Sequence, residues 1–138
     1  MREIKFRAWD TVSKEMNTPN KTLEVLVSMN NGVYAMVKNQ NETLGEIERD
    51  NTIIMQYTGL KDKNGAEIYE GDILSTDLDR PYLIVEFRNG AFMFQCHDNG
   101  KDYYDFMATT GENSNFTKYH EVIGNIYENR KLLGRDGE

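Results

Sequence analysis

The sequence predicts a mainly β protein, folded as a barrel or a sandwich. Three observations support this: apolar residues alternate with a period of two, the apolar runs are short, and Gly/Asn turns separate them. At 138 residues the chain forms one domain, or two very small lobes that share a core. A core of that size needs no disulfide or metal for stability.

The first predicted strand carries the one tryptophan of the chain. Ile4, Phe6 and Ala8 alternate with charged residues and with Trp9, which is typical of a half-buried strand. Trp9 therefore falls on the polar face of this strand. Two explanations stay open: the indole packs against the second half of the molecule, or it lies in an exposed patch for a partner.

A hairpin follows the first strand. The apolar run 23–29 and the strand 33–37 are separated by Asn30-Asn31-Gly32, and Asn-Gly tolerates the positive φ angles of a primed turn. The polar stretch 39–51 is expected to be a connection with room for one helical turn. Thr52–Tyr57 is the next predicted strand, and it ends at Gly59.

The segment 57–74 is dense in polar residues and turn formers. A turn is predicted at Asn64-Gly65, and Glu70-Gly71-Asp72 is expected to lead into a strand at Ile73-Leu74. Glycine reaches positive φ without the Cβ penalty, and Asp and Asn side chains bond nearby backbone amides. Turn chemistry explains this pattern better than a binding site does.

A third hairpin and a closing strand complete the pattern. Pro81–Phe87 and Ala91–Gln95 flank the turn Asn89-Gly90, and Phe92 and Phe94 share a face that is expected to be core. The stretch 97–105 is polar and acidic. His120–Tyr127 is the last predicted strand, in which Gly124 indicates a bulge or a close backbone approach.

Three stretches of the chain resemble the YopX family of phage and prophage proteins. They are Ile4–Asp10 with Met16, Met55–Leu74, and Glu121–Tyr127, and the resemblance spans nearly the whole chain. The resemblance implies a small protein of bacteriophage genomes and integrated prophages, with no established biochemical activity. It also implies that the C-terminal half is an SH3-like β-barrel, and it supplies no catalytic residues.

The expected organisation is therefore a C-terminal SH3-like β-barrel with an N-terminal β-rich lobe or hairpin packed against it. The predicted boundaries are residues 1–51 for the N-terminal β-rich segment, 52–128 for the barrel and 129–138 for a charged tail.

Composition and charge indicate a soluble cytoplasmic protein, and the resemblance implies a bacterial host. The chain has a single cysteine, no apolar run of membrane-spanning length and no signal-like N-terminus. The formal net charge is −7 and the pI is near 4.9, so the overall field repels nucleic acid. Nucleic acid is an unfavoured partner on this basis, although SH3-like barrels as a class can bind it.

No catalytic or metal-binding pattern emerges from the sequence. A calcium loop fails because Leu60 and Gly71 fall where ligating carboxylates belong. One cysteine and two distant histidines give no zinc site, and the neighbours Cys96 and His97 point to opposite faces of a strand. The sequence therefore predicts no enzyme, no cofactor and no metal; a catalytic site would require separated residues such as His97, Asp77 and Glu86 to converge.

The expected function is that of a non-catalytic phage accessory protein. It would act through protein–protein contacts or self-assembly, with a second copy or a host or phage protein as partner. The candidate partner surface consists of Trp9, Tyr103 and Tyr104. The alternative is a nucleic-acid-associated regulator that uses the SH3-like barrel, which rests on fold analogy alone.

Overall fold

The computed structural model describes residues 3–19, 21–29, 32–38, 41–76, 83–98, 101–106 and 120–133. Within these ranges the fold is mainly β, as predicted, with short 3-10 turns at Arg49–Asn51 and Arg130–Leu133. The strands are β1 (Phe6–Asp10), β2 (Glu15–Asn17), β3 (Leu23–Met29), β4 (Gly32–Lys38), β5 (Leu44–Ile47), β6 (Thr52–Lys61), β7 (Glu67–Tyr69), β8 (Asp72–Thr76), β9 (Leu83–Arg88), β10 (Ala91–Asp98), β11 (Lys101–Phe106) and β12 (His120–Asn125).

The chain divides into two compact units, an N-terminal unit of Ile4–Gln56 and a C-terminal unit that starts at Tyr57. The division falls inside β6, whereas the sequence predicts a boundary at 51/52 before that strand. The reason lies in the pairing of β6. Its first residues pair with β1, from Thr52↔Asp10 to Gln56↔Phe6, and its last residues pair with β7.

In the N-terminal unit, β1 lies between β2 and the first part of β6. Arg7, Ala8 and Trp9 are all buried, so β1 is covered on both faces and is not the half-buried strand that its alternation predicts. The second group of strands has the order β3-β4-β5. The core of the unit is the cluster Ala8, Ala35 and Ile47, with Leu23, Leu26, Val37 and Ile54 packed against it.

The predicted hairpin of β3 and β4 is confirmed, with Met29 opposite Gly32. Residues 30 and 31 of the predicted turn lie outside the described residues, and Gly32, predicted as a turn residue, is the first residue of β4. The stretch 39–51 is more than a connection because it contains β5, which pairs with β4 from Ala35↔Ile47 to Lys38↔Leu44. The 3-10 turn at Arg49–Asn51 agrees with the predicted helical turn.

In the C-terminal unit, a five-stranded sheet has the order β11-β10-β9-β8-β12. The β9–β10 hairpin is confirmed, with Arg88 opposite Ala91. Asn89 has φ 52° and Gly90 has φ 82°, so both turn residues have the positive φ of the predicted primed turn. Pro81, expected at the start of this hairpin, lies outside the described residues.

The core of the C-terminal unit lies on one face of this sheet. Phe92 is buried and Phe94 packs against the core, as predicted. The core cluster is Ile68, Leu74, Leu83, Val85 and Phe92, with Leu60, Phe94 and Val122 packed against it. Strand β11 is not predicted by the sequence, because its polar and acidic residues lack a strand pattern.

Candidate functional site

Asp62 is the centre of the turn between β6 and β7. Its Oδ1 accepts hydrogen bonds from the backbone N–H groups of Asn64 and Ala66, both at 2.8 Å. Its Oδ2 accepts from the backbone N–H of Val122 in β12, also at 2.8 Å. The side chain is buried, with 5% of its surface exposed. One carboxylate therefore shapes its own turn and holds a distant strand.

These hydrogen bonds also set the protonation state of Asp62. Burial raises the pKa of the carboxyl, but backbone N–H donors from Val122, Ala66, Asn64 and Gly65 outweigh that effect, and the net pKa lies below the ordinary value of 3.8. A carboxylate that stays ionised and has its lone pairs occupied is unsuited to proton transfer near neutral pH. The arrangement favours a structural role.

The same turn makes two further links to β12. The backbone N–H of Lys63 donates to the carbonyl of His120 at 3.0 Å, and Asn64 Nδ2 donates to Glu121 Oε2 at 3.2 Å. Strand β12 ends the five-stranded sheet, so its outer side would otherwise present unpaired backbone groups. The 61–66 turn covers the start of that edge.

The side-chain oxygens of Thr58 and Asp72 also form hydrogen bonds with backbone groups. Thr58 Oγ1 donates to the carbonyl of Ile68 at 2.7 Å and accepts from the N–H of Leu60 at 3.1 Å. Asp72 Oδ2 accepts from the N–H of Tyr69 at 2.7 Å, and the residue is 1% exposed. Thr58 thus holds β6 against β7, and Asp72 closes the turn between β7 and β8.

Gly71 links two parts of the C-terminal unit through its backbone. Its N–H donates to the carbonyl of Val85, and its carbonyl accepts from the N–H of Ile126, both at 2.8 Å. The residue is buried and has φ 85°, a conformation that favours glycine. The predicted Gly71 turn therefore also anchors β9 and the end of β12.

The bulge predicted at Gly124 is present, and the register of β12 against β8 shifts between Val122 and Gly124. A Cβ at Gly124 would lie 2.5 Å from Asn129 Oδ1 and 2.8 Å from Asn129 Cβ. Asn129 Oδ1 accepts from the N–H of Asn125 at 3.0 Å. Asn125 Oδ1 in turn accepts from the N–H groups of Tyr127 and Glu128. The end of β12 thus depends on the close approach of the Asn129 side chain to the backbone of Gly124.

Of the three predicted partner residues, Trp9 is the one whose side chain the structure describes. Trp9 exposes only 6% of its surface, so its indole is part of the buried interior and offers no open patch. Arg7, Ala8 and Trp9 are buried in succession, so both faces of β1 are covered. Tyr103 and Tyr104 lie on β11, opposite Cys96 and Gln95, but their side chains lie outside the described residues.

The residues considered for catalysis or metal binding do not form a described site. Glu86 is half-buried on β9, while Asp77 and the side chains of Cys96 and His97 lie outside the described residues. In the part of the chain that the structure describes, no three His, Cys, Asp or Glu side chains are grouped so as to hold a metal ion. No helix there is long and apolar enough to cross a membrane.

An exposed strand edge is the feature that sequence reasoning missed. Strand β5 ends the order β3-β4-β5 and pairs with β4 on one side. The N–H of Lys38 donates to the carbonyl of Thr22, on the β3 side of β4. In an antiparallel strand, the N–H and C=O groups of successive residues point to alternate sides of the strand. Those of Val37 and Ala35 therefore point toward β5, where the opposite residues are Gly45 and Ile47.

The backbone groups of Leu44 and Glu46 therefore point away from β4. Among the described residues, none pairs with this outer side. Leu44 is 57% exposed, and Glu42, Glu46 and Glu48 are exposed as well. The only sequence signal for this strand is the pair Leu44 and Ile47, which does not fit a period of two.

Comparison with known proteins places the chain in a family. The family model for YopX protein matches residues 5–134, nearly the whole chain. A solved structure, protein EF1440 from Enterococcus faecalis, matches with 31% sequence identity and a TM-score of 0.55, over 96% of this chain and 99% of that one. A comparison with curated proteins finds no significant match. The chain belongs to the YopX protein family.

Proposed function

We propose that this protein is a non-catalytic accessory protein of bacteriophages and prophages that acts in the bacterial cytoplasm through protein–protein contacts or self-assembly. The observation that carries this proposal is the outer edge of β5, where outward backbone groups and the exposed Leu44 are available to another chain. An uncovered edge of this kind is a template for strand pairing.

The chemistry of the 57–74 segment supports the same proposal. Asp62, Thr58 and Asp72 direct their oxygens to backbone groups, so the polar residues that invite a catalytic interpretation already have structural partners. A segment committed to holding strands in place leaves binding to other surfaces of the molecule.

For the C-terminal unit we propose an SH3-like barrel. Support comes from the Gly71-Asp72 turn that leads into β8, and from the β9–β10 hairpin that follows it in the sheet. SH3-like barrels can bind nucleic acid, but a net charge of −7 disfavours that partner here. Gel-shift assays with DNA and RNA at low salt test that alternative, and a salt-sensitive shift would favour it.

Size-exclusion chromatography with light scattering, combined with a pull-down from bacterial lysate, tests the proposed function. We expect a mass above that of the monomer, or a defined complex with another protein. Leu44→Lys should weaken that association, whereas Val12→Lys, which charges a residue that is 71% exposed in the β1–β2 turn, should not. A clean monomer at high concentration with no captured partner would contradict the proposal.

A further inference from the structure

We propose that the outer edge of β5 binds an extended, basic segment of another protein, which joins the β3-β4-β5 order as an added strand. This inference rests on the proposed function, because it names the partner of the contact surface. It is argued from the direction of the backbone groups, from the side chains along the edge and from their charge.

The backbone supplies the docking groups. The N–H and C=O of Leu44 and of Glu46 point outward. The N–H of Lys38 points to Thr22 on the β3 side, so Val37↔Gly45 and Ala35↔Ile47 are the pairs that exchange hydrogen bonds across β4 and β5. An incoming strand can exchange hydrogen bonds with both residues, which is how main-chain pairing gives affinity in β-strand addition. A Cβ built on Gly45 meets no atom within 4 Å, so the face of the sheet at that residue is open.

The side chains supply the specificity. Leu44 and Glu46 are spaced by two residues on β5 and are exposed, and Ile47, of the opposite parity, is buried in the core. Glu42 precedes β5 with φ 61°, outside the strand register, and is also exposed. Lys38 lies opposite Leu44 on β4, and its Nζ pairs with Glu24 at 3.1 Å. The edge thus presents an apolar side chain with one acidic residue on the strand and a second just before it, which complements a strand that carries basic residues on both sides of an apolar one.

Charge argues against a second copy as the occupant. In antiparallel pairing of two β5 edges, Glu46 opposite Glu46 is a like-charge pair. Leu44 opposite Leu44, or Leu44 opposite Glu46, brings the exposed Glu42 and Glu48 that flank β5 near acidic residues of the other copy. Directly opposed like charges destabilise a cross-strand pair, and each copy carries a net charge of −7. A basic strand replaces each repulsion with an attraction.

The test uses a short synthetic peptide in which lysine, isoleucine and lysine occupy alternate positions with threonine between them. We titrate it into the full-length, isotope-labelled protein and follow backbone amide resonances. The expected result is saturable shifts at the amides of Leu44 and Glu46, with an affinity that falls as salt is raised. The control peptide has glutamate in place of each lysine and should not bind there.

Three variants sharpen the test. Glu46→Lys should weaken binding of the lysine peptide by about fivefold or more, because it turns an attraction into a repulsion. Leu44→Pro should remove an outward N–H and abolish binding, while edge strands tolerate proline. Glu15→Lys makes the same charge change on exposed β2 and should leave the affinity unchanged. If Leu44→Pro fails to fold, the two charge variants decide.

Four results would overturn the inference: equal binding of the glutamate peptide, shifts confined to other residues, no saturable binding, or unchanged affinity in Glu46→Lys. Concentration-dependent shifts at Leu44 and Glu46 without peptide would assign the edge to a second copy and also overturn it. The proposed function fails separately. It fails if the wild-type protein neither self-associates nor captures a partner, whereas equal capture by wild type and Glu46→Lys refutes only the edge assignment.

Discussion

The carboxylate of Asp62 accepts a hydrogen bond from the backbone amide of Val122 at 2.8 Å, although the two residues are 60 positions apart in the chain. Asp62 lies in the central family stretch and Val122 in the closing one. The bond therefore joins the two parts of the sequence by which the family is recognised. Through this bond Asp62 fixes the position of β12.

Asp62→Asn should destabilise the protein by about 1–3 kcal/mol, because an amide has one acceptor oxygen. Either the N–H of Val122 or the N–H groups of Asn64 and Ala66 then face an NH2 group instead of an acceptor. Urea unfolding followed by circular dichroism measures the change. Glu67→Gln, also a carboxylate-to-amide change next to this turn, is the control and should have an effect within about 0.5 kcal/mol. Equal stability of Asp62→Asn and wild type would show that the bond contributes nothing.

The lowered pKa of Asp62 predicts a dependence of stability on pH. Since the folded pKa lies below the ordinary value of 3.8, the ionised carboxylate contributes its full stabilisation above that value. The contribution is lost as the pH falls through the folded pKa. The difference in unfolding free energy between wild type and Asp62→Asn should therefore shrink below about pH 4. A difference that grows on acidification would have the wrong sign.

Gly71→Val should cost at least about 1 kcal/mol, because valine strongly disfavours φ 85° and the residue is buried. Thermal unfolding measures this as a lowered Tm. The matched control is Gly45→Val, at a position with open space where the φ angle does not require glycine. That variant should change stability by less than about 0.5 kcal/mol. Similar Tm values for both variants would contradict the account of Gly71.

Gly124→Ala should destabilise by about 1–3 kcal/mol, since its Cβ would overlap the side chain of Asn129. A double-mutant cycle with Asn129→Ala isolates the clash. Gly124→Ala should cost less in the Asn129→Ala background, because Oδ1 and Cγ are then absent, although Cβ at 2.8 Å keeps part of the overlap. Strict additivity of the two changes would locate the cost elsewhere.

Local turn chemistry was predictable from the sequence. Asn89 and Gly90 predict the turn of their hairpin because both tolerate positive φ, and Gly71 predicts its turn for the same reason. Gly124 was predicted as a bulge because an isolated glycine interrupts an otherwise regular strand pattern. In each case a few neighbouring residues decide the conformation.

The features that depend on distant partners were not predictable. Strand β5 forms because β4 supplies its hydrogen bonds, while its own apolar residues lack strand periodicity. The parity of Trp9 left a packed and an exposed indole both open, and the burial of Arg7, Ala8 and Trp9 in succession shows that both faces of β1 are covered. The partner of Asp62 Oδ2 lies 60 residues away, and no local pattern indicates it.

Amide hydrogen exchange at Val122, compared between wild type and Asp62→Ala, tests most directly whether the carboxylate of Asp62 has a structural role. The account predicts strong protection of the Val122 amide in wild type and loss of that protection in the variant. The amides of Asn64 and Ala66 should lose protection in the variant as well. Amides of the β3–β4 ladder should keep their protection. Unchanged protection at Val122 in the variant would contradict the claim that this carboxylate holds the closing strand.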